Sequence, residues 1–312
     1  MGFIDAVISK IPDINDYIDE SIPVIEANKY SHKGLIVPEI IKNYSQNKGI
    51  INDNIYIMPN IIKTLIEMRK SYSRLRLNPY LNNNFIAENT LDEFSLLAHK
   101  LGVNDIGYTK VNPSMIFKDK KILFSNAIVL TMQMKREAID LAPSITTKQE
   151  VFRTYLELGK IVNKLTSFLI SKGFNAQAGP ALGGDVNYPR LAESAGLGQI
   201  GKHGILISPK FGPSLRIAAI YTDIENLPIA TNNTHKWIQS FCKSCNRCVK
   251  ACPSSAIYTE SIVFEDGSKE CIDFKKCAIP FTNQHGCSLC IKECSFYRNN
   301  YYELKEKYDG SI

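Results

Sequence analysis

The stretch FCKSCNRCVKACP, residues 241–253, sets Cys242, Cys245, Cys248 and Cys252 in the spacing C-x2-C-x2-C-x3-C-P. No other feature of the 312-residue sequence constrains the fold as tightly. Three thiolates at two-residue gaps wrap one face of a small cuboidal iron–sulfur cluster, and the proline turns the chain so that the fourth thiolate points to a second cluster. A second set of ligands is therefore expected. Cys287, Cys290 and Cys294, spaced C-x2-C-x3-C, supply three of them. Cys271 and Cys277 compete for the remaining place. The segment SIVFEDGSKECIDFKKC reads as a strand, an Asp-Gly turn, a second strand and then Asp273-x3-Cys277 entering a helix.

In ferredoxin-type domains the ligand sits at such a helix entry, which selects Cys277 and leaves Cys271 as a small buried hydrophobe. The expected wiring is Cys242, Cys245, Cys248 and Cys294 on one 4Fe-4S cluster, with Cys252, Cys277, Cys287 and Cys290 on the other. Structural zinc sites use pairs of cysteines separated by longer loops, so the tight triple spacing and the Cys-Pro step favour iron. One departure is Ser295, which follows Cys294 where the motif has proline.

All nine cysteines lie between positions 242 and 294. A disulfide framework belongs to short secreted chains. The start, MGFIDAVISKIPDIND, has no basic run, no twin arginine and no myristoylation signal, so export and lipid anchoring are not expected. No run approaches the ~18 apolar residues of a spanning helix. With 44% hydrophobic and 22% charged residues the chain reads as soluble and globular, and a cytoplasmic place is expected. The net charge of +6 comes from lysines and arginines scattered over the whole length. Two clusters of about −2 each on their thiolates would absorb most of it. Charge alone is no reason to invoke a nucleic acid.

Residues 60–75, within PNIIKTLIEMRKSYSRL, have helical periodicity, NPYLNNNF reads as a loop, and nothing before residue 90 carries evident chemistry. From there on, strands and helices alternate. Thr90-x-x-Glu93 reads as a capping box for LDEFSLLAHKLG, stopped by Gly102, and Thr147-x-x-Glu150 as the cap of a long helix ending at Gly173. NDIGYTKV, NAIVLTMQM, GILISP and RIAAIYTDI read as strands, the second apolar enough for a sheet covered on both faces, and PRLAESA as a short helix. The order argues an α/β domain. Gly196-Leu-Gly198-Gln-Ile-Gly201 matches the dinucleotide pattern G-x-G-x-x-G. That loop must leave a strand and open a helix, whereas here a helix precedes and extended chain follows.

The segment LAESAGLGQIGKHGILISPKFGPSLRIAAIYTDI, followed closely by the two-cluster cysteine pattern, resembles the corrinoid-dependent reductases, that is, the epoxyqueuosine reductases and reductive dehalogenases. The likeness covers roughly residues 92–297 and leaves the first 90 residues outside it. No C-terminal helical-repeat extension of the kind many epoxyqueuosine reductases carry for tRNA follows.

The resemblance implies a nitroreductase-like α/β layer holding cobalamin base-off, with a two-cluster ferredoxin-like domain docked beside it. None of the five histidines sits in the D-x-H-x-x-G pattern of histidine-ligated corrinoid proteins. The expected division is a mostly helical N-terminal extension of unknown role (1–89), read from its own pattern, followed, as the resemblance implies, by a corrinoid-binding reductase domain (90–233) and an α+β ferredoxin-like domain (234–312). Gly196, Leu197, Gly198, Gly201, Lys202, His203 and Gly204, with Pro209, Phe211 and Gly212, would line the corrinoid pocket. Tyr155, early in the long helix, matches the dehalogenase proton donor. Arg216 and Lys202 are candidate cations beside it, and Asp185 stands near the place of the epoxyqueuosine reductase aspartate without its D-S-x-P setting. On its own, a tyrosine on an amphipathic helix is a packing residue, and Asp223 in YTDI is a strand-end turn residue. The implied partners are a small-molecule substrate or a modified nucleoside in tRNA, and an external electron donor such as ferredoxin or flavodoxin. A two-cluster electron carrier without its own corrinoid is the other reading.

Overall fold

The apolar run in NAIVLTMQM becomes the central strand of the protein because both of its faces are covered. In the computed structural model, which describes residues 14–19, 21–34, 37–45, 57–81 and 83–310, a four-stranded sheet contains β1 (Asp105–Lys110), β2 (Asn126–Gln133), β3 (Ala176–Gly179) and β4 (Leu215–Thr222) in the order β1-β2-β4-β3. Every neighbouring pair is antiparallel, with Val129 of β2 opposite Gly107 on one side and Ala219 on the other. Ile128, Leu130 and Met132 face one apolar layer, which holds Leu158, Ile161, Val162 and Leu165. Ala127 and Val129 face another, which holds Leu191, Ala192, Ala195 and Tyr221. The mixed α/β character agrees with the alternating sequence. The pairing direction, which alternation leaves open, is decided by these registers.

The helices are α1 (Val37–Tyr44), α2 (Met58–Ser73), α3 (Glu88–Leu101), α4 (Ile145–Ser171) and α5 (Tyr188–Ser194), followed in the cysteine region by α6 (Trp237–Cys245) and α7 (Arg247–Ala251). Both capping expectations need correction. Helix α3 starts at Glu88 after Ala87, so Thr90 lies inside it, although Gly102 does end it in a left-handed conformation (φ 105°). Helix α4 is capped by Ser144, whose Oγ accepts the Thr147 N–H at 3.1 Å. The Thr147 hydroxyl instead donates to the Ala138 carbonyl at 2.7 Å, and the Glu150 carboxylate accepts from the Lys135 N–H at 2.8 Å and pairs with Arg153. Both side chains tie the preceding turn to the helix.

The first 90 residues are more integrated than their composition suggests. Helix α2 runs along α4, where Ser71 donates to Asn163 Oδ1 at 3.0 Å and Asn163 donates to the Glu67 carbonyl at 2.9 Å. Helix α1 packs on the cysteine region, and Thr282 Oγ1 donates to the Tyr44 carbonyl at 3.2 Å. The expected mostly helical character of residues 1–89 falls in part outside the described residues, as do residues 1–13. Among the described residues no helix is long and apolar enough to cross a membrane.

After α7 the chain forms the hairpin β5 (Ile257–Val263) and β6 (Lys269–Ile272), then α8 (Phe274–Asn283), α9 (Leu289–Lys292), α10 (Ser295–Arg298) and α11 (Tyr301–Asp309). The hairpin is antiparallel and bulged between Glu270 and Ile272. Trp237, Phe241, Phe296 and Tyr301 stack into one aromatic group, with the Trp237 Nε1–H donating to the Tyr301 hydroxyl at 2.8 Å. The cysteine region shares a core with the rest of the chain, since Ile291, Cys294 and Phe296 pack in one cluster with Met134, Phe152 and Ile207.

Gly212 is the tightest point of that joint. Its φ is 56°, and a Cβ there would stand 2.4 Å from the Phe296 carbonyl oxygen. Backbone cannot yield cheaply, and a left-handed non-glycine residue adds its own penalty. Gly212→Ala is expected to destabilise the protein by on the order of 3 kcal/mol, read as a lower unfolding temperature. An unchanged temperature would mean that the joint carries no strain.

Candidate functional site

The cysteines are presented by short helices broken at defined points. Cys242 and Cys245 end α6, Asn246 takes a left-handed conformation (φ 51°), Cys248 lies on α7, and Cys252 closes α7 before Pro253. Asp273 caps α8, accepting the Lys275 and Lys276 N–H groups at 3.0 and 3.2 Å, and so fixes Cys277 one turn in. Two left-handed residues, Cys287 and Ser288, then turn the chain into α9, which carries Cys290, and Cys294 stands at the start of α10. All nine thiols are free.

The thiols influence one another mostly within the two sets expected from their spacing, although Cys248 also raises Cys290 and Cys271 also raises Cys242. Burial, then Cys242 and Cys245, push Cys248 up to about 11. Burial raises Cys294, with Cys242 and Cys248 adding to it. In the second set burial, then Cys252 and Cys287, push Cys277 up to about 11. Cys290 is raised by burial and then by Cys277 and Cys287. Burial also acts on Cys252, but the Ala256 N–H, 3.2 Å from its Sγ, and other local donors outweigh it and leave this thiol more acidic than usual. Cys271 is shifted mainly by groups other than thiols. The groups that shift it are burial, Ser261, Lys269, Glu193 and Glu270, and its Sγ accepts the Ser261 hydroxyl at 3.6 Å. Among the described residues no three His, Cys, Asp or Glu side chains close on a single point. The first set lines a small space of about 10 Å³ with Phe241 and Phe296.

The second set opens on a much larger cavity of about 470 Å³ between the hairpin, α8 and the N-terminal half of α4. Cys252, Cys277, Cys287 and Cys290 form one wall, and Phe152, Tyr155 and Arg216 lie on the cavity surface with them. The Arg216 guanidinium sits over the Tyr155 ring, 4.5 Å from its centroid, an attractive cation–π arrangement. The Arg216 Nε is buried without a hydrogen-bond partner, which is costly unless a further group satisfies it. A second cavity of about 860 Å³ shares Arg190, Ile200, Lys269 and Cys271 with the first. Volumes of this order suit cofactor-sized ligands, typically about 300–1,000 Å³.

Other expected site residues are placed differently. Of the glycine stretch only Ile200, His203, Gly204 and Ile205 reach the first cavity, while Gly201 and Lys202 line the second. Gly196, Leu197 and Gly198 line neither. A Cβ on Gly198 would stand 2.2 Å from the Ile207 carbonyl oxygen, so glycine is required for the chain to pass its own return strand. The helix α5 does precede this stretch, and Gln199–Ile200 pairs with Leu206–Ile207, the reverse of a dinucleotide loop. Pro209, Phe211 and Gly212 meet Phe296 and Tyr297 instead of the cavity. Lys202 donates to Asn246 Oδ1 and to the Lys243 carbonyl at the end of α6, away from Tyr155's cavity wall. Asp185 is buried off the cavity, accepting the Tyr72 hydroxyl at 2.8 Å with Lys120 at 4.0 Å. Its partner from α2 explains the burial and could not be read from the local sequence. Asp223 accepts from Asn175 Nδ2 at 2.6 Å beside the end of β4.

The sequence offered a signal for two cavity residues left unnamed above: Lys148 and Phe152 share one helix face with Tyr155 at helical spacing. His32 also borders the cavity, with Nε2 3.4 Å from Ser268 Oγ, and nothing in its neighbourhood announced this.

Residues 235–258 match the 4Fe-4S binding domain family. Tetrachloroethene reductive dehalogenase of Desulfitobacterium hafniense is 31% identical over 215 residues, 62% of this chain and 37% of that protein. Epoxyqueuosine reductase of Listeria monocytogenes is 22% identical over 243 residues, 73% of this chain and 60% of that protein. This chain is homologous to both enzymes. A solved reductive dehalogenase, whose structure is described with a mechanism for B12-dependent dehalogenation, has a TM-score of 0.62 at 19% identity over 80% of this chain and 39% of its own. The shared fold thus spans more of the chain than the aligned dehalogenase sequence does. The chain spans little more than a third of the length of the dehalogenase it matches.

Proposed function

We propose that this chain is a two-cluster iron–sulfur reductase whose Tyr155 cavity takes a corrinoid. The observation that carries the reading is the single cavity bounded on one side by Cys252, Cys277, Cys287 and Cys290 and on another by the Tyr155–Arg216 pair. Electron entry and proton supply are thereby brought to one space. Cys242, Cys245, Cys248 and Cys294 hold one 4Fe-4S cluster in this reading, and the cavity-facing set holds the other. The antiparallel sheet is the nitroreductase-like layer on which the corrinoid rests.

The residues suit such a group. The cavity surface is mainly apolar, the buried Arg216 Nε awaits a partner, and Gly204 leaves room where a side chain would project. Of the two bordering histidines, His203 has its Nδ1 taken by the Ile205 N–H at 3.1 Å and its Nε2 shielded, and His32 Nε2 stands 3.4 Å from Ser268 Oγ. This suits a base-off corrinoid.

A bound corrinoid supplies low-valent cobalt chemistry at the substrate carbon. Replacing a halide by hydrogen consumes two electrons and one proton. The electrons come from an external donor of the ferredoxin or flavodoxin type by way of the thiolate-held clusters. Tyr155 holds the proton on its phenolic oxygen, and Arg216, stacked on the ring, orients it and offsets negative charge on the departing group. The homologies favour a small organohalide over a tRNA nucleoside, since the dehalogenase shares the higher identity. Thiol-held clusters of this kind suit a reducing compartment such as the cytoplasm.

Anaerobic reconstitution with iron, sulfide and cobalamin tests the whole. Two 4Fe-4S clusters and one corrinoid per chain with a base-off Co(II) EPR spectrum are expected. Zinc in place of iron would end the cluster assignment. Clusters without retained corrinoid would make the chain an electron carrier.

A further inference from the structure

His203 is the only histidine of the glycine stretch, and it is 3% exposed. Its Nδ1 accepts the Ile205 N–H at 3.1 Å, which fixes the tautomer: the proton sits on Nε2. That Nε2 is shielded from water and has no hydrogen-bond partner among the described residues. The ring is held in place by its neighbours. A Cβ on Gly201 would come within 3.0 Å of His203 Cε1 and 2.5 Å of Ile207 Cδ1, so the third glycine of the stretch makes space for the imidazole.

His203 borders two spaces, the cavity of about 470 Å³ and the small one lined by Cys242, Cys245, Cys248 and Cys294. The backbone N–H of Lys202, the preceding residue, is hydrogen-bonded to the Cys242 thiol, which sets this segment against the first group of cysteines. Burial keeps the ring neutral, with its pKa lowered to about 4, so it is a donor without charge. A buried donor without a partner costs on the order of 1–3 kcal/mol, and four thiols stand around the small space with Asn246 and Ser295.

We propose that His203 donates a hydrogen bond, through Nε2–H, to a sulfur of the iron–sulfur cluster held by Cys242, Cys245, Cys248 and Cys294. This rests on the cluster assignment above. A donor to cluster sulfur stabilises the reduced, more negative state and raises the reduction potential. His203 would thus set the potential of the cluster farther from Tyr155, making it an acceptor for electrons from outside.

The experiment is an EPR-monitored redox titration of the reconstituted full chain. His203→Leu, which removes the donor, is expected to shift the reduction equilibrium of one cluster about tenfold toward the oxidised state, about 59 mV for a one-electron couple. The other cluster stays unmoved. His203→Gln keeps an N–H donor and should restore most of the shift, which a purely structural role would not do. Cys245→Ser should alter the spectrum of the same cluster and so identifies it. Should His203→Leu fail to fold, pulsed EPR on wild-type protein labelled with 15N-histidine replaces it: a nitrogen coupling to that cluster, absent in His203→Gln, is expected. Unmoved potentials with both clusters assembled, equal shifts of both, or loss of corrinoid affinity alone would each overturn the proposal. Wild-type protein without clusters would instead strike at the assignment beneath it.

Discussion

Tyr155→Phe should lower reductive turnover by about 10²- to 10⁴-fold, the usual worth of a positioned general acid, while both clusters and the corrinoid remain bound. The substitution is unusually clean here. Phenylalanine keeps the ring on which the Arg216 guanidinium stacks at 4.5 Å and keeps the edge-to-face contact with Phe152, whose centroid is 6.2 Å away. Only the phenolic O–H is removed. The arginine therefore stays in place, and the loss can be assigned to the proton. Single-turnover measurement with prereduced protein checks it, because electron supply is then no longer limiting. Turnover retained within tenfold would remove Tyr155 from the chemistry and return it to the role of a packing residue on α4.

The second large effect concerns the cavity-facing thiols. Cys290→Ala should abolish turnover supported by an external donor and halve the iron content, because it deletes a ligand from the cluster that borders the Tyr155 cavity. Cys271→Ala is the matched control. Cys271 is buried, at 7% exposed, and also lies on the cavity wall, but the groups that shift it are Ser261, Lys269, Glu193 and Glu270 and not other thiols. It should retain both clusters. The pair decides the upstream ligand as well: iron lost in Cys271→Ala and retained in Cys277→Ala would reverse the assignment.

Much of this site could be read from the chain because its parts are local. Cysteines at two- and three-residue gaps on short helices are brought into one neighbourhood, and Asp273 four residues before Cys277 is a helix cap that sets where that residue enters the helix. The apolar run of β2 announced a sheet covered on both faces, and both faces are covered. Where reading failed, a distant partner had intervened. Asp185 stood near the place of the epoxyqueuosine reductase aspartate, but Tyr72, 113 residues earlier, donates to it. Gly198 and Gly212 looked like cofactor contacts, but each is glycine because another backbone passes within 2.4 Å of where its Cβ would be. A glycine reports that something is near without saying what.

By itself, then, the sequence determined the metal chemistry and the layer types, since ligand spacing and apolar periodicity are properties of neighbouring residues. Only the tertiary structure decided which set of thiols faces Tyr155, that Arg216 stacks on it, and that His203 is buried with its Nε2 unpartnered. Those facts depend on how the cysteine region docks on the sheet, and docking is settled by side-chain packing between segments far apart in the chain, which no local pattern encodes.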